Sequence, residues 1–129
     1  MDVEFDVALK IVDVEKLGEG INKQLFESEI RCLEALKSTP HVINLHEVIR
    51  TEDKIYVVTE LCFGDFETHL KNNKISSEEA WSYMQQIMKG YKYLYEKDII
   101  HRDLKPGNLF FNVKKELKIG DFGFAATTN

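Results

Sequence analysis

His101-Arg102-Asp103-Leu104-Lys105-Pro106-Gly107-Asn108 and, eighteen residues past Asp103, Asp121-Phe122-Gly123 decide how this chain is read. An Asp-Phe-Gly tripeptide alone says little, because turns are rich in Asp and Gly. The octapeptide before it carries the weight. Between the two lie a short apolar strand at Leu109-Phe110-Phe111, a Lys114-Lys115 turn and a second strand around Leu117-Lys118-Ile119.

Working back from this block, Ser76-Ser77-Glu78-Glu79 offers a capping box, with Ser76 as N-cap and Glu79 three residues later, so a long helix is expected to begin there. Ala80, Trp81, Met84, Ile87, Met88, Tyr91, Leu94 and Tyr95 give it an apolar stripe of helical period, which predicts a core-facing aromatic side and requires a partner surface. A short helix is expected at Phe66 to Leu70. Val42 to Arg50 and Ile55 to Leu61 read as strands joined by the polar turn Thr51-Glu52-Asp53-Lys54, an antiparallel hairpin. Leu25, Phe26, Ile30, Leu33 and Leu36 mark an amphipathic helix from about Asn22 to Lys37, stopped by Pro40. Residues 5 to 14 alternate as a strand does, with Val7, Leu9 and Ile11 on one face and Ala8, Lys10 and Val12 on the other. The fold class is α+β.

The 129 residues, 43% hydrophobic and 30% charged, are enough for one globular domain. A net charge of -5 and scattered Lys and Arg residues give no basic footprint, which argues against nucleic acid as a partner. Cys32 and Cys62 lack any paired or metal-ligand spacing, so neither disulfide nor zinc is expected and a reducing, cytoplasmic setting is. The acidic start Met1-Asp2-Val3-Glu4-Phe5-Asp6 lacks a basic region followed by an apolar run, and no run of about 18 apolar residues occurs, so no membrane targeting is expected.

Together, the octapeptide, Asp-Phe-Gly, and the strand Val7-Ala8-Leu9-Lys10 resemble the eukaryotic protein kinase family. The resemblance implies a two-lobe kinase-like fold. It implies residues 1–61 as a remnant of the small lobe, 62–65 as the hinge and 66–129 as the first part of the large lobe with the catalytic loop. It also implies ATP and Mg²⁺. Phosphoryl transfer leaves little covalent work to the protein, so the residues needed are those that align the nucleophile and neutralise phosphate charge. By resemblance, Asp103 orients the substrate hydroxyl, Lys105 contacts the transferring phosphate, and Asn108 and Asp121 hold magnesium. Lys10 is expected to contact the α and β phosphates, paired with a helical glutamate nineteen residues on, Glu29. Glu27 is the rival. Two helical positions differ by about 200°, so only one of them can face Lys10, and Leu25, Leu33 and Leu36 favour Glu29. Backbone groups of Glu60 and Cys62 are implied as the adenine contacts, with Thr59 as a small gatekeeper, Asp65 near the ribose, and Ala8 and Phe110 on the two faces of the base. Cys62 serves through its backbone, not as a reactive thiol. The Leu104-Lys105-Pro106 wording is similar to the serine/threonine form, which implies protein Ser/Thr hydroxyls as substrate, and it argues against small-molecule phosphotransferases of related fold. Arg102 is implied as a partner for a phosphorylated loop residue, and His101 as a packed residue against Phe122, Leu33 and Leu45. His41, His46 and His69 are expected to be ordinary surface or half-buried residues. The run Lys118 to Ala125 loosely resembles autophagy-initiating or calcium/calmodulin-type kinases.

The resemblance covers the middle of such a domain, from the third strand of the small lobe to the start of the activation loop, without a glycine-rich loop. Two expectations follow: a Ser/Thr kinase represented by a partial sequence, or an inactive fragment acting as a protein-binding module through exposed apolar faces. The residues leave substrate, pathway and oligomeric state unassigned.

Overall fold

In the computed structural model, residues 4–128 are described. Met1 to Val3, the first half of the acidic start, and Asn129 lie outside them. The fold opens with β1 (Val7–Asp13), a single helical turn α1 (Val14–Leu17) and α2 (Ile21–Ala35), followed by β2 (Leu45–Arg50) and β3 (Lys54–Glu60). These strands form an antiparallel sheet in the order β1-β3-β2. The hairpin turn closes through the Thr51 N–H to the Lys54 carbonyl at 2.8 Å. Turn α1 was not anticipated. Asp13 creates it by accepting from the N–H groups of Glu15 and Lys16 at 3.0 and 3.3 Å.

Leu61 alone separates β3 from β4 (Cys62–Asp65), which runs directly into α3 (Phe66–Asn72). The segment read as a connection is therefore itself a strand, antiparallel to β6 (Leu109–Asn112), and β6 pairs in turn with β7 (Leu117–Ile119). Helix α4 (Ser77–Glu96) is capped as expected, the Ser76 hydroxyl oxygen accepting the Glu79 N–H at 3.1 Å. After it come β5 (Ile99–Ile100), a 3-10 turn at Pro106–Asn108 and β8 (Ala126–Thr127), which pairs with β5. The class is thus mixed α+β with antiparallel sheets.

The two sheets meet at a strap. Val42 forms a parallel bridge with Ile119, the Ile43 N–H reaches the Ile119 carbonyl at 2.9 Å, and the Ile119 N–H reaches the His41 carbonyl at 2.8 Å. Around it lies one continuous core, with Phe26, Ile30, Leu33 and Leu36 from α2 and its end, Leu45 and Val57 from the first sheet, and Leu94, Leu109, Leu117 and Phe122 from the second half. Each such side chain contributes about 1.5–3 kcal/mol by leaving water. Helix α4 presses on the strap so closely that a Cβ at Gly90 would stand 2.7 Å from the His41 carbonyl oxygen. Gly90→Ala should therefore cost about 1–3 kcal/mol, against the helix propensity that alanine normally adds, and urea unfolding of the two proteins reads the difference.

The structure settles one face and corrects another. Of the two faces read on β1, that of Val7, Leu9 and Ile11 is the outer one, with exposures of 39%, 55% and 56%, since among the described residues the core lies on the other side of the sheet. On α4 the buried residues are Gly90 and Leu94, while Trp81, Met84, Met88, Tyr91 and Tyr95 point outward, so the aromatic stripe is surface. Period had placed these residues on one side of an element without saying which side meets the core. Among the described residues no helix is long and apolar enough to cross a membrane.

Candidate functional site

Strand β1 carries Ala8 and Lys10 on the same face, opposite Thr59 and Val57 of β3 in the register. Helix α2 brings Glu29 to meet them: Lys10 Nζ stands 3.7 Å from Glu29 Oε2, and 6.0 Å from the centre of the Phe26 ring. The rival carboxylate is committed elsewhere, since Glu27 takes both terminal nitrogens of Arg50 at 3.0 Å. Lys10, Glu29, Thr59 and Asp121 line one cavity of about 130 Å³, closed by Leu33 and Phe122. A larger one of about 560 Å³ lies behind α2, beside the Glu27–Arg50 pair, and holds none of the residues expected to do chemistry.

The pair is electrically unbalanced. Burial pushes the Glu29 carboxyl above its ordinary value, Lys10 opposes this, and Asp121 pushes it further up. Two carboxylates against one ammonium make this a place that favours a cation.

Asp121 owes its position to Phe122. The Phe122 ring is 1% exposed and meets the His101 ring edge-on at 5.0 Å between centroids. Asp121 itself has φ 51°, a left-handed conformation that Asp tolerates better than most residues, and its Oδ1 accepts from the Gly123 N–H at 3.3 Å. His101 ties this turn to the loop before it. Its Nε2 bonds the Gly120 carbonyl at 2.7 Å and its Nδ1 accepts the Asp103 N–H at 3.2 Å, which selects the Nε2–H tautomer. His101 is thus a buried structural residue, as its resemblance implied.

Within the loop, the Asn108 amide nitrogen donates to the Asp103 carbonyl at 2.8 Å and to Asp103 Oδ2 at 2.9 Å. Lys105 Nζ lies 3.7 Å from Asp103 Oδ1. The Gly120 N–H donates to the Asn108 carbonyl at 2.9 Å, so the loop and the Asp121 turn are one hydrogen-bonded unit. Because its nitrogen faces Asp103, Asn108 has its amide oxygen left for a hard cation. A carboxylate and an amide oxygen in an acidic surround suit Mg²⁺, which keeps several waters and takes substrate phosphates as further ligands.

The residues assigned to the base are spread along β1, β3, β4 and β6. Phe110 lies so close to Gly120 that a Cβ there would meet its ring at 2.7 Å. Asp65 is occupied as the N-cap of α3, accepting from the Thr68 N–H at 2.8 Å and the Thr68 hydroxyl at 3.0 Å, which lowers its carboxyl pKa. The Glu60 carboxylate is held by Lys118 at 3.5 Å and by Asn44 and Asn112, and its N–H by the Asn44 carbonyl at 2.8 Å. Burial and the Glu60 charge push the Cys62 thiol up to about 11. A thiol so raised stays protonated at pH 8, so iodoacetamide should modify Cys62 about twentyfold more slowly than free cysteine. Cys32, fully buried, should react only on unfolding; mass spectrometry of native and denatured protein distinguishes the two thiols.

Sequence reasoning had no signal for three contacts. The Arg102 Nε donates to the Phe124 carbonyl, Arg102 itself standing at φ 68°. The Ser28 hydroxyl donates to the Ala125 carbonyl at 2.7 Å, tying α2 to the segment after Gly123. Lys118 finds Glu60 across two sheets.

Among curated proteins, the chain is 41% identical over 129 residues to "Serine/threonine-protein kinase atg1" of Dictyostelium discoideum, a match covering 92% of this chain and 19% of that protein. It is 38% identical over 121 residues to "Serine/threonine-protein kinase PLK2" of Mus musculus, covering 92% of this chain and 18% of the relative. With "CBL-interacting serine/threonine-protein kinase 26" of Arabidopsis thaliana the identity is 36% over 122 residues, 93% of this chain and 28% of the relative. The match therefore spans between 18% and 28% of the length of these relatives. The family model described as "Protein kinase domain" matches residues 3–129, and with nearly every residue inside that match, this chain belongs to the protein kinase domain family.

Proposed function

We propose that this chain is the nucleotide-binding and catalytic-loop portion of an ATP-dependent serine/threonine protein kinase. The observation that carries the reading is the convergence of Lys10, Glu29 and Asp121 on one cavity, with Asp103 held beside Asn108 and Lys105 by a loop hydrogen-bonded to the same turn. In this reading Lys10, kept in place by Glu29, neutralises charge on the ATP phosphates, while backbone atoms of Glu60 and Cys62 meet the adenine. Ala8 and Phe110 flank the base. Asp65, already a helix cap, serves the ribose from that fixed position. Asn108 and Asp121 hold Mg²⁺, which when bound supplies positive charge at the phosphates. Asp103 accepts a hydrogen bond from the incoming Ser or Thr hydroxyl and turns its oxygen towards the phosphorus; Lys105 faces the phosphate being moved.

The test is phosphate transfer by the full-length protein from Mg-ATP to a panel of Ser, Thr and Tyr peptides, read by mass spectrometry. Phosphoserine and phosphothreonine are expected, with the signal lost on chelation of magnesium. Transfer to Tyr peptides alone, or none at all, overturns the reading.

A second reading is favoured by one feature, the outward row Trp81, Met84, Met88, Tyr91 and Tyr95 on α4. Such a contiguous apolar surface suits a noncatalytic module that docks another protein. Phosphate transfer by the full-length protein would exclude it as the whole function.

A further inference from the structure

We propose that Lys118 is a positioning residue for the nucleotide, acting through the Glu60 side chain to fix the backbone at the end of β3. The inference rests on the reading that adenine meets the backbone of residues 60 to 62.

Glu60 is anchored twice to Asn44. Its N–H donates to the Asn44 carbonyl at 2.8 Å, and its Oε1 accepts the Asn44 N–H at 3.2 Å. These contacts hold it within the first sheet. Two others reach across to the second sheet: Lys118 Nζ at 3.5 Å from Oε1, and the Asn112 amide nitrogen at 3.4 Å from Oε2. The Lys118 and Glu60 side chains are only 14% and 20% exposed. A charge so far withdrawn from water depends on its partner, and removing one member of such a pair leaves the other poorly compensated. Without Lys118 the longest of the remaining contacts is the 3.4 Å bond to Asn112, itself engaged with Glu116 at 3.0 Å. The carboxylate then keeps only uncharged partners, and the end of β3 loses its charged tie to the second sheet. Both charges already lie close enough to Cys62 to act on its thiol in opposite senses.

Position on the chain adds a second argument. Lys118 lies on β7, three residues before Asp121. One short strand thus supports the backbone expected at the base and delivers the carboxylate expected at the phosphates. Lys118 touches neither Asp103 nor Asp121 among the contacts described, so its loss should weaken ATP and spare the chemical step.

The experiment measures KM for ATP and kcat for a peptide in the full-length protein, with displacement of a fluorescent ATP analogue as a direct binding readout. Lys118→Met should raise KM for ATP about tenfold, as expected when one member of a largely buried ion pair is removed, with kcat held to within about twofold. Lys118→Arg should restore the affinity. Glu60→Gln should weaken ATP similarly, and the double variant should be no worse than the more impaired single one. An unchanged KM in Lys118→Met, a fall in kcat instead, or failure of Arg to restore affinity overturns the proposal while wild-type binding stands. If wild type shows no saturable ATP site, the functional reading falls first and this inference with it.

Discussion

Asp103→Asn in the full-length protein is expected to lower kcat for peptide phosphorylation by about a thousandfold, within the range that a positioned proton acceptor supplies. The substitution changes charge and almost nothing else. The carboxylate it replaces receives Asn108 Nδ2 at 2.9 Å, and an asparagine oxygen can accept the same bond, so the loop should keep its shape. The Asp103 carbonyl also accepts from Asn108, a contact that the substitution leaves alone. Affinity for ATP should stay near that of wild type, because Asp103 does not line the cavity shared by Lys10, Glu29 and Asp121. Steady-state rates with a responsive peptide and displacement of a nucleotide analogue give the two numbers. A variant retaining a tenth or more of the wild-type rate would show that Asp103 is not the acceptor.

Phe122→Ala should remove about 3–5 kcal/mol of stability, as large-to-small changes at packed aromatics do. Phe122 is among the largest side chains withdrawn from solvent, at 1% exposure, and its ring faces His101 at 5.0 Å. The cost has a functional side. His101 bonds the Gly120 carbonyl and the Asp103 N–H, so a gap beside it loosens both segments that flank the reaction. Asp121, held at φ 51° by the burial of its neighbour, then relaxes towards commoner backbone conformations. Denaturant unfolding checks the stability, and Phe122→Leu should recover a good part of the loss. A loss below about 1 kcal/mol for the alanine variant contradicts a tightly packed site.

How far the sequence carried these conclusions depends on the residue. The choice of Glu29 over Glu27 came from the family resemblance, with the helical angle and the positions of Leu25, Leu33 and Leu36 favouring it, and in the structure Glu29 stands at Lys10 and Glu27 at Arg50. The capping box at Ser76 was legible because it is local, two residues three positions apart that bond each other. The outward faces of β1 and α4 were not, because period marks a face and burial depends on what packs there. Asp65 illustrates a different limit: a side chain expected at a ligand is also a helix cap, and both roles suit the same short carboxylate. The Glu60–Lys118 pair spans 58 residues and two sheets, so no window along the chain could pair them.

The strap between the two sheets sets an order of assembly. His41 Nδ1 and the Leu117 carbonyl, 2.9 Å apart in the fold, are separated by 76 residues of chain. Closing a loop of that length costs entropy before its few hydrogen bonds return anything. During synthesis, β1, α2 and the β2–β3 hairpin can form early, yet the segment at His41 to Ile43 stays without its partner until Ile119 has left the ribosome. Joining of the halves, arrival of Asp121 beside Lys10 and Glu29, and seating of α4, through Gly90, against the His41 carbonyl are then one late event. Early arrest in translation would leave a sheet and helix with no site between them.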